Sequence, residues 1–223
     1  MAKKVASPPN APGPPRSYRS PLRERQAAQT RDTILNSAAE EILERGIHGL
    51  SISAVAARAE VAERTVYRYF ESTETLLDAL IQSVGARLGA LLGDQARLRP
   101  DRSSSLDELV AHLPALYVAL DEIGAPARAV AAVTLARGSD PGRQQRRDLL
   151  AQALAPELAH LGPASAHAMV ETLYLLGGSV SWYLLTRGGE LDGLQAGRAA
   201  ARAIRAILAD LRAESTHNPA GVT

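Results

Sequence analysis

An all-α fold follows from three features of this 223-residue chain. Apolar residues recur three and four apart rather than two apart, β-branched runs are missing, and Ala, Leu, Arg and Glu dominate between well-placed helix stops. The pattern predicts about nine helices, a short N-terminal group followed by a larger helical body.

The first helix is expected over Arg25–Arg45, where Ile34/Leu35, Ala38/Ala39 and Ile42/Leu43 make one apolar stripe. Gly46 supplies the left-handed residue that ends it, and Ile47 can fold back onto Ile42. Ser51 is an N-cap for a short second helix over Ser53–Ala59, with Ile52, Val55, Ala56 and Ala59 turned inward. After the break Glu60-Val61-Ala62, a third short helix runs from Glu63 to Phe70 and buries Val66 and Phe70, four residues apart. Ser72 caps a fourth helix through Leu76, Leu77, Leu80, Ile81, Val84, Leu88, Leu91 and Leu92. Two short helices joined by a tight turn and packed on a longer one make a helix-turn-helix.

Five further helices are expected at about Leu106–Asp121, Pro126–Arg137, Pro141–Leu161, Ala164–Arg187 and Leu191–Ala213. Pro126 and Pro141 suit first turns, and Gly162-Pro163 and Gly188-Gly189 mark stops. The helix from Ala164 is apolar on more than one face, through Met169, Leu173, Leu176, Val180 and Leu184 and also Val170, Tyr174 and Gly177, so burial on several sides is expected. The last helix carries a narrow packing seam, Leu194, Gly197, Ala201, Ile204, Leu208 and Leu211, with Arg198, Arg202 and Arg205 opposite.

Composition removes several function classes. With no Cys there is no disulfide, thiolate metal site or Cys nucleophile, which fits a reducing cytoplasm. The longest uncharged apolar stretch, Thr172–Thr186, is 15 residues and too short for a bilayer, so no membrane partner is expected. Lys3 and Lys4 are followed by Pro-rich sequence where the apolar core of a signal peptide would stand. G-x-S-x-G, H-E-x-x-H, P-loop and G-x-G-x-x-G motifs are absent from the sequence, and the five His residues include no close pair at metal-ligand spacing. Neither an enzyme nor a cofactor is expected.

The formal net charge of +1 hides an uneven distribution. Residues 1–31 hold seven basic groups and one acidic group, residues 32–80 hold four basic and nine acidic groups, and the remainder is balanced. Six of the thirteen prolines fall in the first 21 residues. Residues 1–24 are therefore expected to be a disordered basic arm and 216–223 a disordered tail, around domains at 25–80 and 81–215. The arm is either an inert tail or a phosphate-binding segment brought close by the folded module.

The third helix carries the functional signal. Burying Val66 and Phe70 turns Arg64, Thr65, Tyr67 and Arg68 outward or sideways, with Tyr69 near the edge. Arg can pair with guanine O6/N7 or phosphate, a Thr methyl can meet a thymine methyl, and a Tyr hydroxyl can donate to a phosphate. The alternative is structural: Arg68 pairing with Glu71, and Tyr69 padding the core.

The stretch Thr33–Leu80, with Gly46, the Ser51-Ile52 entry, Ala56 and then Thr65-Val66-Tyr67-Arg68-Tyr69-Phe70, resembles the DNA-binding domain of the tetracycline-repressor (TetR) family of transcriptional regulators. The resemblance implies a homodimeric repressor with a C-terminal ligand-binding and dimerisation domain, released from a pseudo-palindromic double-stranded DNA operator by a small molecule. It places Thr65, Tyr67 and Tyr69 where the family contacts DNA, and Arg64 and Arg68 at positions that tune sequence choice. Ser51, Thr73 and the arm-proximal Arg23 and Arg25 complete the expected DNA-facing set. Dimerisation would run through the last two helices, about 164–187 and 191–213. The effector, apolar or compact, would sit among His112, Tyr117, Arg128, Met169, Tyr174, Trp182 and Tyr183. An adaptor with a protein partner, or with no effector, is the other reading of the same domain.

Three departures from the family pattern stand out. Glu60 replaces the usual turn Gly, so either the backbone avoids positive φ or it carries roughly 1 kcal/mol of strain. Ala62 replaces the usual Ser or Thr cap of the third helix, and Thr73 replaces a Lys, removing one phosphate-facing charge. The basic arm, through Arg16, Arg19, Arg23 and Arg25, is expected to compensate.

Overall fold

A proline opens helix α1 (Pro21–Arg45), where its fixed φ suits a first turn, four residues before the expected Arg25. The computed structural model describes residues 21–93, 106–137 and 141–217. Lys3, Lys4, Arg16 and Arg19 of the arm, and the tail beyond 217, lie outside the described residues. Among the described residues there are ten α-helices and no strand.

Helix α1 stops at Gly46, φ 72°, whose N–H donates to the Ile42 carbonyl at 2.9 Å. A 3-10 turn over Ile47–Gly49, not anticipated from the sequence, leads into α2 (Ile52–Arg58). Ser51 caps α2 by accepting from the Ala54 N–H at 3.2 Å. Glu60 takes φ 54°, so of the two alternatives the strained one is realised. Helix α3 (Glu63–Tyr69) has Ala62 at its N-cap with no side-chain hydrogen bond. Ser72 and Thr75 form a reciprocal capping box at the start of α4 (Thr73–Leu92).

The first core gathers Ile34, Leu35, Ala38 and Ile42 of α1, Val55 and Ala56 of α2, Val66 of α3, Phe70, and Leu76, Leu77 and Leu80 of α4. Glu41 sits beside this core at 2% exposure, and Arg58 compensates it with a 2.7 Å bond while also pairing with Glu40 and Glu44. These partners hold the Arg58 guanidinium well above its ordinary pKa. Three of the nine carboxylates behind the negative balance of residues 32–80 thus share one arginine, which offsets one unit of their charge.

The second core is built by α5 (Leu106–Ile123), α6 (Ala125–Arg137), α7 (Pro141–Leu158), α8 (Pro163–Gly177), α9 (Ser179–Thr186) and α10 (Gly193–His217). Two helices serve both cores. Helix α4 gives Val84 to the second core, and α6 gives Ala129 and Val133 to the first. The boundary expected at residue 80 therefore falls inside a continuous helix. By length and composition α4 could cross a bilayer, but its Leu76, Leu77, Leu80 and Val84 are buried in these two cores.

One expectation is corrected. The single helix from Ala164 to Arg187 is two helices, because Gly178 leaves the helical region at φ −95°, ψ 167°. A Cβ there would lie 3.1 Å from the Tyr174 carbonyl. The α10 seam packs against α5 within the chain, with Ala201, Ile204, Leu208 and Leu211 buried and Leu194 exposed. A Cβ on Gly197 would fall 2.6 Å from Pro114 Cα, and one on Gly193 2.5 Å from the Tyr117 carbonyl oxygen. Small residues on α10 let two helices of one protomer approach closely. Helix α10 also runs to His217, past the expected Ala213.

Candidate nucleic-acid interface

Val66 and Phe70, 0% and 3% exposed, fix how α3 presents its other residues. Arg64, Tyr67 and Arg68 are exposed, and Thr65 and Tyr69 half-buried. Arg68 is not paired with Glu71. Its guanidinium lies 5.1 Å from the Tyr69 ring centroid, and Nη2 reaches the Tyr69 hydroxyl at 3.5 Å. Among the described residues neither Arg64 nor Arg68 is in an ion pair. The helix offers two cations, a phenol and a half-buried hydroxyl on one side.

Thr73 opens α4 half-buried, its hydroxyl donating to Glu74 Oε2 at 3.3 Å. The Glu74 carboxyl is held below its ordinary pKa by backbone and Ser72 hydrogen bonds at this helix start. Ser51 is occupied as the α2 cap, so its hydroxyl already has one partner. Arg31 stacks on Phe70 at 5.5 Å, which brings α1 to the end of α3. Arg25 and Arg23, exposed, stand about 9 and 12 Å further along α1 at 1.5 Å per residue.

The candidate effector residues sit in different packing environments. Tyr117 is fully buried, and burial raises its hydroxyl to a pKa of about 12 against a weaker lowering by Ser181. Trp182 is fully buried and its Nε1 donates to Asp121 Oδ1 at 2.9 Å. Arg128 lies 5.2 Å from the Trp182 ring, 3.6 Å from Asp121 Oδ1 and 3.4 Å from the Thr186 hydroxyl. Asp121 Oδ2 accepts from the Gly193 N–H at 2.5 Å, at the positive end of α10. Tyr117, Arg128 and Trp182 thus belong to the packing of α5, α6, α9 and α10. His112 donates from Nδ1 to the Glu108 carbonyl at 2.6 Å on its own helix. Met169 is half-buried against the second core, and Tyr174, also half-buried, carries Arg147 at 5.2 Å from its ring. Sequence reasoning missed Asp121, Thr186 and Gly193, and no local spacing links residues 72 positions apart.

Residues 34–80, which contain every element of this helix-turn-helix, match the family described as bacterial regulatory proteins, tetR family. The helix-turn-helix is thus similar to that of the tetR family. Over 100 residues this chain is 32% identical to the HTH-type transcriptional repressor NicS of Pseudomonas putida, covering 44% of the chain and 46% of that repressor. The aligned region therefore spans less than half of that relative. A TetR-like regulator from Rhodococcus sp. RHA1 superposes with a TM-score of 0.57 at 21% identity, over 78% of this chain and 92% of that one. A gamma-butyrolactone receptor described as ArpA-like superposes at 0.51 with 22% identity, over 85% and 99%. Both superpositions cover most of the chain, and what they show is a shared fold.

Proposed function

We propose that this chain is a repressor that binds a pseudo-palindromic operator as a homodimer and is released by a small molecule bound among its C-terminal helices. The exposed face of α3 carries the reading. Arg64, Tyr67 and Arg68 are held outward by the burial of Val66 and Phe70, and the two cations have no carboxylate partner among the described residues. A single α3 reads few base pairs, so useful specificity calls for two copies. The last helices still present apolar surface to a second copy, through the exposed Leu175 on α8, Leu184 and Leu185 on α9 and Leu194 on α10.

Helix α6 supports ligand response. It reaches the Asp121 network through Arg128 and the helix-turn-helix core through Ala129 and Val133, so displacement of the C-terminal helices is transmitted to α1. The repressor and receptor relatives are consistent with this division of labour. Selecting genomic fragments on the purified chain tests the reading: an enriched palindromic site supports it, and recovery of unrelated sequences contradicts it.

A further inference from the structure

Helix α3 packs mainly on α2, so its angle follows from how α2 lies on α1. The side chains that α2 gives to the first core, Ile52, Val55 and Ala56, are mostly small. Apolar burial is non-directional, and such contacts fix the depth of α2 better than its tilt. Directional bonds fix tilt, and Arg58, the last residue of α2, supplies them.

Arg58 spreads its guanidinium over three carboxylates of α1. Nε donates to Glu41 at 2.7 Å, Nη1 to Glu40 at 3.3 Å, and Nη2 to Glu44. A planar fork held at three points cannot rotate without breaking a bond, whereas a Lys would offer one point charge. Glu41 is buried and also pairs with Arg45 at 3.4 Å, so the anchor of the clamp is itself fixed.

The turn after Arg58 makes that anchor matter. The Val61 N–H donates to the Ala56 carbonyl at 3.0 Å and the Glu60 N–H to that of Ala57 at 3.3 Å, closing α2 around Glu60 at φ 54°. A non-glycine residue in that region persists only where its surroundings over-determine it. Helix α3 starts three residues beyond Glu60 without a side-chain cap of its own. A tilt of α2 is therefore passed directly to α3.

We infer that Arg58 is a positioning residue for DNA reading, its three-carboxylate clamp holding α2, and through it α3, at the angle that presents Arg64, Tyr67 and Arg68. This rests on the proposed DNA-binding function and adds to it a residue whose own donors are turned to α1.

The sequence has no cysteine, so Asn36→Cys on α1 and Glu63→Cys on α3, both exposed, carry two spin labels whose separation is read in the full chain by double electron–electron resonance. Arg58→Met alone strands a buried carboxylate, and it is therefore combined with Glu41→Leu, an exchange of an ion pair for apolar groups that folded proteins tolerate. This double variant should keep its melting temperature and broaden or shift the label distances. Without labels it should lose about tenfold in affinity for a selected operator fragment, as for one misplaced base contact, while affinity for unrelated DNA, set by phosphates, stays within about twofold. A role confined to stability would leave the operator-to-unrelated ratio unchanged. Should the double variant fail to fold, Glu40→Ala with Glu44→Ala keeps the buried pair, removes the two exposed arms of the clamp, and should move both readouts less far in the same direction. Unchanged label distances or an unchanged ratio in a folded variant would overturn the inference. Equal affinity of the wild-type chain for operator and unrelated DNA counts against the DNA-binding proposal alone, and the label distances then decide whether Arg58 sets the angle of α3.

Discussion

The Tyr117 hydroxyl donates to the Leu176 carbonyl at 2.8 Å and stands 3.2 Å from that of Gly178, across the break between α8 and α9. A helix that ends in the protein interior leaves its last carbonyls without partners. Tyr117, reaching from α5, supplies one from 59 residues away. The chain can therefore turn at Gly178 inside the second core.

Burial of this hydroxyl makes stability depend on alkaline pH. Burial raises the Tyr117 pKa to about 12 from an ordinary 10, so the folded state favours the protonated phenol. That contribution is complete below pH 10 and disappears as pH rises toward 12. Urea unfolding should show a decrease of about 2–3 kcal/mol across this window. Tyr117→Phe should lack that component and be about 1–3 kcal/mol less stable at neutral pH.

Glu60 stores local strain in the turn of the helix-turn-helix. At φ 54° a Cβ is disfavoured, so Glu60→Gly should stabilise the chain by about 1 kcal/mol, whereas Glu60→Ala should gain nothing. Thermal unfolding of the two variants distinguishes strain from a charge effect.

The close approach of α10 to α5 forbids larger side chains. Gly197→Ala places a methyl 2.6 Å from Pro114 Cα, against backbone that cannot step aside. A destabilisation of about 1–3 kcal/mol should follow in denaturant titration. Gly188→Ala, in open space, should be silent by comparison.

Removing residues 1–20 leaves α1 intact, because the helix opens at Pro21. If the arm tracks phosphates, operator affinity should fall and the slope of log K against log salt should flatten by about 0.9 for each phosphate that the arm had neutralised. Arg23→Ala with Arg25→Ala should produce a smaller change in the same direction.

Legibility in the sequence follows the range of the forces involved. Helices, stops and caps are local, so Gly46, Ser51 and Ser72 can be assigned from neighbours three or four residues away, and the inward pair Val66 and Phe70 comes from one helix period. The exposed set on α3 follows directly from that pair. What the sequence hides is long-range. The α10 seam has the spacing of a packing surface, but spacing does not say whether the partner is α5 or a second copy. The double glycine Gly177-Gly178 reads as a site of close approach, and only Tyr117, distant in sequence, shows why the helix can break there. For the same reason the buried Tyr117 and Trp182 resemble ligand-lining residues, although their polar atoms are already satisfied by Leu176 and Asp121.

The central claim is that α3 reads DNA through side chains that the fold does not need. Fluorescence anisotropy of a selected operator fragment, titrated with the full chain, Tyr67→Ala and Arg68→Ala, measures this directly. Each substitution should lower operator affinity by about ten- to a hundredfold, the worth of one base or phosphate interaction, with the melting temperature unchanged. Wild-type affinity in both variants, or equal affinity for operator and unrelated DNA, would contradict it.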